Sequence, residues 1–141
     1  MSEKKNKSPL SEHWFWGSIL KNTGTYSQIA LASVFINRLR KGMRLQSDPT
    51  VIYGINKSGL LGREITRSDL NGYTDFNTYK ISGLPPYPIC HPGKSSIMAV
   101  LNPEDTDYLY FVADGLGGHV FAKTLRSHNK NVAKWRRLKN K

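Results

Sequence analysis

Between residues 43 and 92 the sequence places a turn former every few residues: Asp48-Pro49, Asn56, Gly59, Gly62, Asn71-Gly72, Gly83, Pro85-Pro86, Pro88 and Pro92-Gly93. Prolines remove backbone donors and glycines admit left-handed dihedrals, so no long helix or wide sheet runs through such a stretch. A loop region this long orders only where specific side chains hold its backbone, and loops held that way often carry function. Short elements fit inside it: a helical turn after Pro49 (TVIYG), and another over residues 66–70 with Thr66 or Ser68 as cap.

The flanks are regular. Residues 31–41 (LASVFINRLRK) have helical period, with Leu31, Ala32, Val34, Phe35, Ile36 and Leu39 on one broad face and Ser33, Asn37, Arg40 and Lys41 opposite. Gly42 stops this helix, and cations in its last turn suit the macrodipole. The basic cluster Arg38, Arg40, Lys41 and Arg44 is therefore expected to be a solvated helix end. Residues 95–101 read as a short helix ended by Asn102-Pro103. Residues 107–113 (DYLYFVA) are β-rich, and the run Asp114-Gly115-Leu116-Gly117-Gly118 leads into a second strand over 119–122, which predicts a hairpin. A last helix covers about 124–138, with Leu125, Val132 and Trp135 on one side. The order predicts an α+β fold: helices packed with a small antiparallel hairpin and long ordered loops. Residues 1–12 read as a disordered basic tail, and 13–141 as one domain.

Charge narrows the partners. Lys+Arg 21 against Asp+Glu 10 gives +11, which attracts polyanions such as nucleic acid, anionic lipid or acidic polysaccharide. At 38% hydrophobic and 11% aromatic the chain can bury a core. One cysteine, Cys90, excludes a disulfide framework and a cysteine-rich zinc site within the chain. His13, His91, His119 and His128 have no paired spacing, so no metal is expected, and no cofactor motif is present. No apolar run approaches the ~18 residues of a membrane helix, and residues 1–9 lack the apolar core of a signal peptide. Neither an RNP-like motif nor zinc-finger spacing occurs, so nucleic acid rests on charge alone and is not expected as a partner.

Longer motifs are more specific. Residues 32–54 (ASVFINRLRKGMRLQSDPTVIYG), 77–86 (NTYKISGLPP), 92–94 (PGK), Asn102-Pro103, 108–121 (YLYFVADGLGGHVF) and 128–135 (HNKNVAKW) resemble, in order, the YceG-like endolytic murein transglycosylases, a bacterial cell-wall family. The resemblance implies a lyase that cuts peptidoglycan between N-acetylmuramic acid and N-acetylglucosamine, leaving a 1,6-anhydromuramyl end. One carboxylic acid protonates the leaving oxygen, and the muramic C6 hydroxyl attacks C1 within the same sugar, so no second carboxylate is needed. It also implies no cofactor, glycan strands as substrate, the cell-wall synthesis machinery as a further partner, and action at the periplasmic face of the inner membrane.

The sequence departs from that pattern before residue 25. The family's anchor and LysM-like segments have no counterpart, so the chain reads as truncated on that side and, as written, as cytoplasmic. The family's catalytic glutamate lies in a helix reading approximately S-I-(I/V)-E-K-E-(T/A)-G. Here Ser18-Ile19-Leu20-Lys21-Asn22-Thr23-Gly24 is one residue short and has neither glutamate, so the catalytic position falls at or beside Lys21. Lysine has no acidic proton of the required kind and no acceptor. Glu12 is about 13 Å from Lys21 along a helix, Glu3 lies in the tail, and Glu64 and Glu104 fall outside the motif blocks as solvated acids. The chain is thus expected to be impaired, with a non-catalytic peptidoglycan-binding remnant as the alternative.

For substrate binding the resemblance points to Gln46, Asp48, Thr50, Asn77 and Tyr79, with His119 facing either the cleft or the strand's wet side. Amides, hydroxyls and a ring face suit sugars. Each also has a scaffold reading: Asp48 as a helix cap before Pro49, and Asn77 as a turn former. Asp114 reads as a turn residue, and Trp14 and Trp16 as burial of a truncated start.

Overall fold

A computed structural model describes residues 25–141, with side chains from residue 28 onward. The expectations for the basic tail, Glu3, Glu12, Trp14, Trp16 and the Lys21 position lie outside the described residues. Within them the order is α1 (Thr25–Arg40), α2 (Asp48–Ile55), α3 (Arg67–Asn71), α4 (Lys94–Leu101), β1 (Tyr110–Ala113), β2 (His119–Ala122) and α5 (Leu125–Lys139). Helices around one two-stranded antiparallel sheet make the fold α+β, as the patterning predicts.

Helix α1 is the centre of the molecule. Leu31, Ala32 and Phe35 are buried against Leu45, Ala99 and Val100, with Leu84, Phe111 and Phe121 packed around them. Gly42, at φ 68°, ends the helix. Its amide donates to the Leu39 carbonyl at 3.2 Å and that of Met43 to Arg38 at 2.9 Å, the two bonds of a Schellman cap.

Two expectations for this helix change. It extends back to Thr25, six residues before the point where apolar periodicity begins. Its polar side is solvated only at the end, where Arg40, Lys41 and Arg44 are exposed; Ser33 is 2% and Arg38 6% exposed. Residues 106–109, outside any helix or strand, lie along that side, and their backbone needs partners. Asn37 Nδ2 donates to the carbonyls of Thr106 (2.7 Å) and Tyr108 (3.0 Å), and the Ser33 hydroxyl hydrogen-bonds that of Thr106 at 2.8 Å. For the same reason the first paired strand residue is Tyr110 rather than Asp107, because the preceding segment is already bonded to α1.

The loop region contains the short elements expected of it. Ser47 precedes α2 as its N-cap residue but makes no side-chain cap bond, and Pro49 sits in the first turn. Asp48 is therefore not the cap, contrary to the scaffold reading of that residue. Gly54 is required by a close approach, since a Cβ there would run into the Thr74 side chain. At α3, Thr66 and Asp69 form a reciprocal capping box, and Arg63 clasps the Asp69 carboxylate at 2.6 and 3.0 Å.

The hairpin pairs Tyr110 with Ala122, Phe111 with Phe121, Val112 with Val120 and Ala113 with His119. Alternation puts Phe111 and Phe121 towards α1, where Phe111 meets Phe35 edge-on with centroids 5.7 Å apart. Helix α5, capped by Thr124 through the Ser127 amide, covers the opposite face, and its His128 stacks on Tyr110 at 5.2 Å. The turn is held as the composition predicts: Asp114 Oδ1 accepts from the amides of Leu116 (2.7 Å) and Gly118 (3.0 Å).

Candidate functional site

A cleft of ≈ 350 Å³ opens where the start of α2, the 45–47 segment, Tyr79, β1 and α5 converge. Its walls are Arg38, Leu45, Gln46, Ser47, Asp48, Pro49, Tyr79, Phe111 and His128. Of the sequence candidates, the structure brings Gln46, Asp48 and Tyr79 together there.

Each is fixed by a different device. Gln46 holds φ 51°, an uncommon left-handed setting for a residue with a Cβ. Its amide donates to the Thr78 carbonyl at 3.2 Å, and its side-chain oxygen accepts from Arg38 Nη1 at 3.4 Å. Tyr79 donates its hydroxyl to Asp48 Oδ1 at 2.7 Å. Burial, and then this bond to Asp48, holds the Tyr79 hydroxyl well above the usual tyrosine range. Asp48 itself stays exposed at the cleft mouth.

Thr50 and Asn77 stand behind the cleft instead of in it. Both are buried, at 0% and 1% exposure, and their polar atoms serve the backbone. Thr50 Oγ1 bonds the Ser47 carbonyl at 2.6 Å and Thr78 Oγ1 at 2.8 Å, while Thr78 Oγ1 accepts from the Ser47 amide at 2.8 Å. Asn77 Nδ2 donates to the carbonyls of Leu70 (3.1 Å) and Gly72 (2.6 Å), and Asn77 Oδ1 accepts from the Tyr79 amide at 2.9 Å. These threonines and this asparagine set the positions of Ser47 and Tyr79. His119 is also away from the cleft: it lies on the α1-facing side of the hairpin with Phe111 and Phe121, and burial lowers its pKa.

Arg38, Phe111 and His128 are among the wall residues that the sequence reading does not single out as binding candidates. Arg38, expected at a wet helix end, is the interior tie of the site. Its Nε donates to the Leu109 carbonyl at 2.6 Å, and Nη1 donates to the carbonyls of Arg44 (2.9 Å) and Leu45 (3.2 Å). The guanidinium also lies over the Tyr110 ring, 5.2 Å from its centroid, and burial draws its pKa below the ordinary value. Phe111 supplies an apolar wall. His128, in the HNKNVAKW block, adds an imidazole whose pKa is lowered first by burial and then by Arg38. The Ser47 hydroxyl and His128 Nδ1 are buried without a hydrogen-bond partner in the protein. Buried polar groups of this kind call for a bound hydroxyl-bearing molecule or water. Among the described residues no cluster of side chains could hold a metal ion.

The chain that carries this cleft has counterparts among known proteins. Residues 5–134 match the YceG-like family. The chain belongs to that family. A YceG-like protein from Listeria monocytogenes, known from its crystal structure, superposes with a TM-score of 0.75 at 43% identity, covering 86% of this chain and 38% of that one. The endolytic murein transglycosylase of Bacillus subtilis is 42% identical over 139 residues, 97% of this chain. That of Streptococcus pneumoniae is 38% identical over 109 residues, 73% of this chain. This YceG-like chain spans 38% of the Bacillus relative's length and 19% of the pneumococcal one's. Within its described residues, no helix is long and apolar enough to cross a membrane.

Proposed function

We propose that this chain is the cleft-bearing part of a peptidoglycan lytic transglycosylase, and that it grips glycan strands between Gln46, Asp48, Tyr79 and His128. The observation that carries the reading is the cleft itself: acceptors at Gln46 and Asp48, ring faces at Tyr79 and Phe111, and unpartnered polar atoms on Ser47 and His128. Sugars are bound by this combination of acceptors for hydroxyls and flat apolar walls for ring faces. The relatives named endolytic murein transglycosylases support peptidoglycan as the polymer. A wall polymer as substrate implies action at the outer face of the cytoplasmic membrane.

Lytic chemistry needs a protonated carboxyl beside the glycosidic oxygen. The cleft carboxylate among the described residues is Asp48, which lies exposed at the cleft mouth with Oδ1 already accepting the Tyr79 hydroxyl. Asp48 is thus placed as an acceptor for sugar hydroxyls. The family's acid position falls at or beside Lys21, which supports strongly reduced turnover. A second reading, a non-catalytic peptidoglycan-binding protein, is favoured by that same lysine.

Incubating the chain with purified sacculi tests both. We expect it to co-sediment with them, to do so less as Tyr79→Ala, and to release anhydromuropeptides about 10²–10⁴-fold more slowly than an intact relative. Release at the intact rate overturns the loss of the acid. Failure to co-sediment overturns the glycan cleft.

A further inference from the structure

On the far side of the hairpin from α1, a second and larger groove of ≈ 640 Å³ runs between the 114–116 turn and the later half of α5. Its apolar lining is Leu116, Val120, Trp135 and Leu138, with Lys134 and Lys139 on its rim. Leu116 projects from the turn tip at 92% exposure, and Leu138 is 49% exposed. Leu138 leans on the turn, 3.8 Å from where a Gly115 Cβ would sit, so turn and helix form one continuous face.

We propose that this face docks on an anionic lipid surface, with Leu116 and Trp135 entering the headgroup region and the cations of α5 meeting lipid phosphates. Helix α5 carries Arg126, Lys130, Lys134, Arg136, Arg137 and Lys139 and no acidic residue. At ~100° per residue, Arg126, Lys130, Lys134 and Arg137 fall within an arc of about 80°, directly beside Leu138. That is the pattern of a helix lying in a membrane interface: a cationic stripe bordering an apolar, tryptophan-bearing one. The two acids nearby are already engaged, Asp114 by the turn amides and Glu64 by Lys139 at 3.4 Å.

Charge and apolarity together select the partner. A second copy would bring two cationic stripes together, each on a chain of net charge +11. A purely hydrophilic polyanion would satisfy the lysines but leave Leu116 in water. An anionic bilayer surface satisfies both, since each basic side chain and each buried methylene adds to partitioning.

The test is co-sedimentation of the full chain with vesicles of phosphatidylcholine alone, or of phosphatidylcholine with about a third phosphatidylglycerol. Binding is expected to the anionic vesicles only, weakening as salt rises. Leu116→Ser, at a site too exposed to affect folding, should lower partitioning about tenfold. Lys134→Glu with Arg137→Glu should lower it at least as much. With Trp14→Phe and Trp16→Phe leaving Trp135 as the sole tryptophan, its emission should shift to the blue on anionic vesicles. Heparin binding should be unchanged by Leu116→Ser. Equal vesicle binding by Leu116→Ser and the parent overturns the proposal in favour of charge alone. Self-association that Leu116→Ser abolishes overturns it in favour of a second copy.

Discussion

Tyr79 and Asp48 meet across 31 residues of chain, hydroxyl to carboxylate at 2.7 Å, and their bond closes one wall of the cleft. The phenol ring is thereby held at a fixed angle to the segment carrying Gln46, an arrangement that a sugar ring can stack on.

Tyr79→Phe keeps that ring and removes the bond. Stability should fall by less than ~1 kcal/mol, because Asp48 is solvated, while sacculus binding should weaken several-fold. The hydroxyl's raised pKa adds a pH signature. A group protonated more firmly when folded than when unfolded stabilises fully below its unfolded value, about 10 for tyrosine, and loses that contribution as pH climbs towards the folded one. Thermal melts from pH 9 upward should therefore show an alkaline decline in the parent that is shallower in Tyr79→Phe.

Thr78→Val tests the layer behind the cleft. The change is nearly isosteric, yet it leaves the buried Ser47 amide without its acceptor and takes one of the bonds of Thr50 Oγ1, which keeps the Ser47 carbonyl. A loss of about 1–3 kcal/mol in chemical denaturation is expected, together with weaker glycan binding although residue 78 itself is buried. Unchanged binding by a well-folded Thr78→Val would show that the cleft is set by other means.

Arg38→Lys preserves charge and discards the fork. A single ammonium cannot serve the Leu109 carbonyl and the Arg44 and Leu45 carbonyls together. Denaturant titration should report a loss of about 2–3 kcal/mol, since buried carbonyls lose their donors. If Arg38→Lys is as stable as the parent, the guanidinium is not the tie described.

Those two residues also show where sequence reasoning stops. The hairpin, its Asp114 turn, the Thr66 cap and α5 were legible because each is local: alternation, a short-range side-chain bond, a 3.6-residue period. The α+β class followed from their order. Arg38 was misread because its meaning lies 71 residues away, at the Leu109 carbonyl, and nothing in a helical period encodes that. Asn77 and Thr50 stand in the same motif blocks as Tyr79 and Asp48, but a motif cannot distinguish a wall residue from the one bracing it. His128 stood in a recognised block too, and only the folding of α5 across Tyr110 carries it to the cleft.

Restoring the acid is the sharpest functional prediction. Inserting Glu after Leu20 together with Asn22→Glu should raise anhydromuropeptide release above the parent, and above Lys21→Glu alone. In a helix of the kind the family pattern implies, one inserted residue rotates what precedes it by about 100°, so substitution without insertion is expected to be the weaker change. An insertion variant that folds and binds sacculi yet releases no more product than the parent would refute this placement of the acid.

The Thr78 and Arg38 ties have a dynamic consequence. The amides of Gln46 and Ser47 end on Thr78, and the carbonyls around them end on Arg38, so neither wall can swing out without breaking bonds inside the core. Hydrogen exchange at those two amides should then track global unfolding, while the Leu116 amide on the exposed turn exchanges far faster. A cleft that cannot open on its own has no separate closed and open states to select between. Any oligosaccharide that occupies it will register as a rise in the melting temperature of the whole domain, which makes thermal shift a direct screen for the strand chemistry it accepts.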